Sequence, residues 1–394
     1  MNGRLHYVDH LRVAAFAVLI AYHSSVAFFP DMRWLIESPE KSALLSEIMN
    51  FPRAWRLALL FFVSGMGTWF AFRSTTGVNF LKERTVRLLV PLIFAMCVVV
   101  VPQVWYERMH EHQYEGSLFT FWITRYFTEG KYPDGNFTWA HMWFVGYLLV
   151  MAVLFYPLFR MIMHPRMRWL AQAFERFATS PAIYFAFLMP LFLNLVLTPF
   201  FPRQTNALYN DGAWFAVWAS WFGLGFLVAR HHRAVIGTII ERRWLSAGLA
   251  ALATLSLYLF AWRDPATSVG SYDAMTPLFK ALVFVLAWAM ILALVGFAAL
   301  HLNRKSAAMT WLNRKIFPLY IVHQTVTVAA LFYVLPLDIG VYAKFALVLL
   351  ATALLSLAFA ALADRLPWPV RALFGLSGQP QAQPREAEAV SVRF

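Results

Sequence analysis

Arg12 and His23, eleven positions apart, are the pair whose types and spacing point most directly to chemistry. On an α-helix that interval returns to almost the same face, about 16 Å further along the axis. One face then carries a fixed cation at its lower end and an imidazole well above it. A guanidinium grips a phosphate through two parallel hydrogen bonds, and an imidazole near a hydroxyl acts as a general base. The pair suits a donor with an anionic head and a long thin arm, which is the shape of a coenzyme A thioester. Asp9, one turn below Arg12, is expected to pair with it or to cap the helix start. Each residue also has a plainer reading, Arg12 as a topogenic anchor and His23 as a hydrogen-bonded packing residue. Their shared face makes it harder for both plain readings to hold together.

Other polar residues sit where apolar ones are expected. Arg84 and Arg87 share a helical face and would bind either the phosphates of a nucleotide carrier or anionic lipid headgroups. Ser64 and Gly65 form a small pair inside an apolar run, which suits close helix approach. Ser64 is also a candidate nucleophile if a histidine activates it. His323 is expected about 10 Å into its span, near the level of His23, and His141 at the opposite boundary. No His-Glu-x-x-His pair or cysteine cluster accompanies them, so no metal is expected. His231 and His232 read as a solvated loop. Lys280 and Lys344 read as snorkelling side chains, and Asn194, Trp214, Trp218 and Trp221 as packing residues.

These residues need elements to hold them, and the composition says which kind. The chain has 394 residues, 60% hydrophobic and 13% charged, with a mean hydropathy of +0.58. A soluble domain carries roughly 25% charged residues, so a polytopic all-α membrane protein is expected. Disordered, collagen-like, nucleic-acid-binding and disulfide-scaffold classes are excluded. The single cysteine, Cys97, lies in an apolar run and says nothing of compartment. Ten runs approach the roughly 20 residues that cross a bilayer: Leu11–Phe29, Trp55–Phe72, Leu88–Trp105, Trp143–Met163, Ala182–Phe200, Gly212–Ala229, Trp244–Trp262, Leu278–Leu302, Ile316–Leu335 and Val341–Leu362.

The net charge of +13 then sorts by loop parity. Arg73, Lys82, Arg84 and Arg87 fall on one side, with Arg160, Arg166, Arg168, Arg176, Arg230, Arg233, Arg242 and Arg243. Arg304, Lys305, Arg314 and Lys315 join them. The positive-inside rule makes that side, and both termini, cytoplasmic. The basic excess therefore needs no nucleic-acid partner. Ser25-x-Ala27 weakly mimics a signal-cleavage site, but His23 interrupts the apolar run and the loop parity needs the first span retained. Two outer stretches are long, Pro30–Ala54 and Tyr106–Met142. The second mixes carboxylates (Glu107, Glu111, Glu115, Glu129, Asp134) with Trp105, Tyr106, Tyr114, Trp122, Tyr126, Tyr132 and Trp139. That mixture suits either a carbohydrate or an interfacial aromatic belt. Residues 1–365 read as one membrane domain. Residues 366–394 read as a cytoplasmic tail, its Gly378–Phe394 part too polar to order itself.

Several short motifs carry a resemblance. Tyr7-Val8-Asp9-x-Leu11-Arg12 followed by His23 resembles the opening signature of the acyltransferase family three membrane proteins. Phe61-Phe62-Val63-Ser64-Gly65 is similar to that family's Phe-Phe-x-Ser-Gly element, with Met66 where many members have an aromatic. Arg84-x-x-Arg87 with Leu88 and Pro91 resembles its basic second inside loop. His141-x-Trp143-Phe144 and Leu319-Tyr320-Ile321-Val322-His323 resemble its fourth-span start and its late Tyr-x-x-His. Within the family the wording is most similar to periplasmic glucan succinyltransferases.

The resemblance implies a multi-pass O-acyltransferase of the bacterial inner membrane. It would move an acyl group, such as succinyl or acetyl, from cytoplasmic acyl-CoA to a hydroxyl of an extracytoplasmic glycan. Arg12, Arg84, Arg87 and Asp9 would hold the donor, and His23, His323 and Ser64 would act at the reacting centre. His141, Trp143 and Tyr320 would meet the acceptor, and Tyr320, His323 or Ser64 would donate to the oxyanion. The alternative is a transporter or flippase of a glycan, lipid or acyl carrier. The two halves show no second Arg…His face and no matching Gly/Pro interruptions, which disfavours it.

Overall fold

A computed structural model describes residues 5–30, 32–75, 77–262 and 276–376. Among them the structure is helical, with no β-strand beyond a single isolated bridge between Lys131 and Phe137. The main elements are α1 (His6–Val26), α2 (Ala43–Ser74), α3 (Val78–Phe94), α4 (Val101–His110), α5 (Trp143–Leu154), α6 (Tyr156–Met163) and α7 (Arg168–Thr179). They continue with α8 (Leu188–Leu197), α9 (Gly212–Arg230), α10 (His232–Glu241), α11 (Arg243–Phe260), α12 (Pro277–His301), α13 (Ala307–Val334), α14 (Val341–Ala363) and α15 (Trp368–Leu373).

Seven helices among the described residues are long and apolar enough to cross a membrane, and up to nine spans result if two bent pairs each count as one. The run from Val78 to His110 is one such helix, with α3 and α4 joined through a wide π-type turn at Ala95–Val99. The expected fourth span bends by 45° between α5 and α6. The expected fifth follows a turn of 101° after α7, which sequence reading had left as an inside loop. α1 is not among the seven. Its 21 residues include His6, Asp9, His10, Arg12 and His23, which lower its mean hydropathy.

Two helices begin earlier than hydropathy predicts. Sequence periodicity starts the second span at Trp55, but α2 starts at Ala43, where the Ser42 hydroxyl accepts the Leu45 N–H at 3.3 Å. Hydropathy starts the ninth span at Ile316, whereas α13 starts at Ala307, capped in the same way by Ser306 on Met309. In both cases a polar first turn hides the start from an apolar-run criterion, and a serine cap supplies it. His231 and His232 do not form a solvated loop. His232 opens α10, stacks on Tyr7 and hydrogen-bonds its hydroxyl at 3.0 Å. Burial lowers its pKa below the usual histidine value. Lys344 does not reach for solvent either; it is 3% exposed and pairs with Glu40 at 2.5 Å.

α1 lies at the centre, packed against α2, α12, α13 and α14. α9 lies along α2 at unusually close range. An added Cβ on Gly65 would stand 1.9 Å from the Phe222 carbonyl oxygen, and one on Gly225 would stand 1.9 Å from that of Phe62. Backbone therefore touches backbone, the small-residue crossing typical of helices packed in lipid. Past Leu366 the chain continues as α15, and Phe374 and Leu376 are buried. Phe374 meets Phe94 and Phe359, each at 5.1 Å. The segment Gly378–Phe394 and the N-terminal Arg4 lie outside the described residues.

Candidate active site

α1, α2, α3, α5, α9, α12 and α13 surround a cavity of about 790 Å³. Arg12, His23, Ser64, Arg84, Arg87, His141, Trp143 and Tyr320 all lie on its wall. Asp9 and His323, also singled out in the sequence, do not.

At one end the wall is cationic. Arg12 donates from Nη1 to Asn313 Oδ1 of α13 at 3.0 Å, and Asp9 stands 3.9 Å away. Asp9 does not cap α1, whose start at Leu5 has no side-chain cap. Arg84 donates to the Gly67 carbonyl at 3.3 Å, and a Cβ on Gly67 would approach Arg12 to 3.1 Å. Gly67 thus marks the point where α2 passes between the two guanidinium groups. Below them, Asp364 gathers Lys315, Arg314 (2.8 Å) and Arg371 (3.5 Å), tying α13 and α15 together. Burial alone would raise the Asp364 pKa, but the Lys315 hydrogen bond and the three cations bring it below the usual carboxylate range.

Deeper in, three imidazoles form a row. The ring of His323 lies 5.4 Å from that of His23 and 5.1 Å from that of His141. The sequence sets His141 at the opposite boundary; the structure brings it in beside His323 on the short turn Ala140–Met142 that leads into α5. A carbonyl can only accept, so the partners assign the tautomers. His141 donates from Nε2 to Ile321 at 3.0 Å, and its Nδ1 faces the Gln103 amide at 3.5 Å. His323 donates from Nδ1 to Tyr320 at 2.6 Å, leaving Nε2 buried with no hydrogen-bond partner among the described residues. His323 is fully buried behind His23, and Phe16 closes its other side at 5.3 Å. His23 is half-buried on the cavity wall, its Nδ1 buried with no hydrogen-bond partner among the described residues.

The remaining candidates differ in what they have left to offer a substrate. The Tyr320 hydroxyl is engaged by the carbonyl of His141. Ser64 faces the cavity, but among the described residues no hydrogen bond joins it to a histidine. Trp143 packs on Tyr147 at 5.0 Å and Phe61 at 6.2 Å. Trp214, Trp218 and Trp221, expected only to pack, line the cavity as well.

Sequence reasoning missed two groups of lining residues. Arg56 is 5% exposed, lies 3.4 Å over the Tyr22 ring and faces the cavity near His23. A charge inside a span is a functional candidate by default, but the span was drawn from Trp55, which left Arg56 looking like a flank. Away from the Arg12 end, the wall includes Met32, Trp34, Arg53, Gln204 and Asn206. The outer stretch that looked richest, Tyr106–Met142, gives the cavity only Ala140 and His141. Its polar groups are turned on one another. Arg108 binds Asn136 Oδ1 and the carbonyls of Pro133 and Gly135, each at 2.9 Å, and Glu107 accepts from Tyr132 at 2.8 Å.

Comparison with known proteins adds a second line of evidence. Residues 5–365 match a family described as an acyltransferase domain. The chain is similar to the Glucans biosynthesis protein C of Escherichia coli O139:H28 (strain E24377A / ETEC), with 24% identity across 84% of both chains. It is similar in the same measure to the protein of that name from E. coli strain K12. No solved structure matches.

Proposed function

The chain belongs to the acyltransferase domain family, and from that premise we propose that it moves an acyl group from cytoplasmic acyl-CoA to a hydroxyl of an extracytoplasmic glycan. The observation that carries the reading is one cavity lined both by the guanidinium groups of Arg12, Arg84 and Arg87 and by His23. Arg12, Arg84 and Arg87 take the donor's phosphates, with Asp9 and Asn313 steadying Arg12. The thioester arm then runs up the cavity toward His23. The imidazole takes the proton from the acceptor hydroxyl as its oxygen attacks the thioester carbon. The tetrahedral intermediate collapses, the carbon–sulfur bond breaks, and the leaving thiolate takes the proton back from the imidazolium. A positioned base is typically worth 10²–10⁴-fold in rate.

His323, behind His23, acts here as a positioning residue. Ser64 and Tyr320 remain candidates to meet the oxyanion, Tyr320 by exchanging its present partner. The acyl group is small, succinyl or acetyl. The name of the relatives supports a glycan as acceptor. In this reading α1 is the tenth span, both termini are cytoplasmic, and the membrane is the bacterial inner membrane.

The test uses proteoliposomes of the full chain given labelled acyl-CoA and a glycan acceptor. Covalent acylation is expected with wild type, and His23→Ala is expected to reduce it by at least 10²-fold while inserting normally. Retained activity in that variant removes His23 from the chemistry. Movement of donor or glycan without covalent product identifies a carrier instead, which a cavity of this shape also suits.

A further inference from the structure

The outer end of the cavity has features that a mere exit does not require. Trp34 sits in the connection between α1 and α2, half-buried, with its indole nearly parallel to the His23 ring at 6.1 Å and 23°. Parallel rings at that separation are offset rather than face to face, so the indole sets a second flat face beside the imidazole. The same cavity is lined by two amides from the connection between α8 and α9. Gln204 donates to Asn206 Oδ1 at 3.1 Å, which orients both side chains and leaves the Gln204 oxygen and the Asn206 amino group to offer. Asn206 holds a left-handed backbone at φ +54, a conformation that asparagine tolerates better than most residues.

Both connections are tied down. Lys344 of α14 pairs with Glu40, Lys41 donates to the Ala27 carbonyl at 3.3 Å, and the Ser38 N–H reaches the same oxygen at 3.0 Å. On the other side Asp211 accepts from Tyr147 at 2.5 Å and from the Thr205 N–H at 3.3 Å. An aromatic face and a pair of mutually oriented amides on one cavity are the way a pocket fixes a ligand with an apolar face and a polar edge. A pyranose ring is such a ligand: its C–H face is apolar and its hydroxyls alternate donors and acceptors.

We infer that Trp34, Gln204 and Asn206 form the subsite for the acceptor's sugar ring, with the face of the ring on the indole and a rim hydroxyl delivered to His23. This rests on the acyltransferase reading above and moves the acceptor's entrance away from the aromatic stretch at Tyr106–Met142. Arg53 stands at the same end, but the stacked indole and the amide pair favour a neutral ring over an anionic headgroup.

The experiment uses the full chain in nanodiscs with acyl-CoA and a water-soluble gluco-oligosaccharide. Trp34→Ala is expected to raise the KM for oligosaccharide at least tenfold and to leave the KM for acyl-CoA within twofold. Trp34→Phe, which keeps a flat face, should recover most of the loss. A second readout needs no turnover. With Cys97 replaced by serine, Trp34→Cys is labelled by a polar maleimide, and the oligosaccharide should slow labelling at least threefold. An unchanged oligosaccharide KM in Trp34→Ala, an equal rise in both KM values, or no protection of Trp34→Cys overturns the subsite. Protection by anionic lipid alone assigns the wall to a headgroup and overturns it too. If wild type acylates no oligosaccharide, the enzyme reading fails instead, whatever Trp34 does.

Discussion

Among the three clustered imidazoles only His23 and His141 reach the cavity, and His141 already has a bonding partner near each ring nitrogen. That leaves His23 as the histidine with a nitrogen to spare at the wall. Arg12 carries the matching prediction at the cationic end. Arg12→Ala should raise the apparent KM for acyl-CoA at least tenfold while changing that for glycan little, because the proposed reading gives Arg12 the donor's phosphate and no part in holding the acceptor. Steady-state kinetics varying each substrate in turn will show it, and an unchanged donor dependence would mark Arg12 as a topogenic anchor.

The 3.6-residue period was enough to set Arg12 and His23 on one wall, because both lie on one helix and need no tertiary information. His323 and His141 could not be joined that way, since their proximity depends on how α5 is entered and how it packs beside α13. Arg56 and Trp34 were overlooked for a related reason. α2 is polar at its start, so hydropathy sees only its apolar remainder, and Trp34 lies in the connection before it, where no period places a side chain.

At the level of elements, the fold hinges on the α2–α9 crossing. Ser64-Gly65 could be read as a packing pair from sequence alone, but its partner, Gly225 on α9, could not. The same stretch of α2 does two jobs: Gly65 lets α9 close in while Ser64, one residue earlier, faces the cavity. Gly65→Leu should therefore separate the helices and deform the cavity wall. Overpacking typically costs about 1–3 kcal/mol, and here the obstacle is backbone, which cannot rotate aside. A lowered thermal midpoint in detergent, together with loss of acylation, is expected. Gly248→Leu, where the glycine meets nothing within 4 Å, should leave both unchanged. The bends between α5 and α6 and after α7 were not legible, because a smooth hydropathy profile does not record direction. Their sequence marks, Pro157, Pro165 and Pro181, are visible only once a break is sought.

For the molecule as a whole, charge distribution and cavity point the same way. The residues assigned inward by loop parity include Arg84, Arg87, Arg314 and Lys315, and the structure places these around or just below the cationic end of the cavity. Orientation is thus the property on which the donor's side depends. Reporter fusions at each terminus, active only in the cytoplasm, are expected to work at both. Activity at one terminus only would mean an odd number of spans, and α1, the helix outside the set of clear candidates, would be the first to re-examine.

In the proposed topology the chamber runs from the cytoplasmic guanidinium end toward the outer connections, and such a path brings a further hazard, which is leakage. Between turnovers water can fill it, and water conducts protons. The positive potential of Arg12, Arg84 and Arg87 at its mouth repels protons and metal cations, as charged residues do in selective pores. The groups that would grip the donor thus also insulate the idle protein, so an empty chamber need not discharge the membrane it sits in.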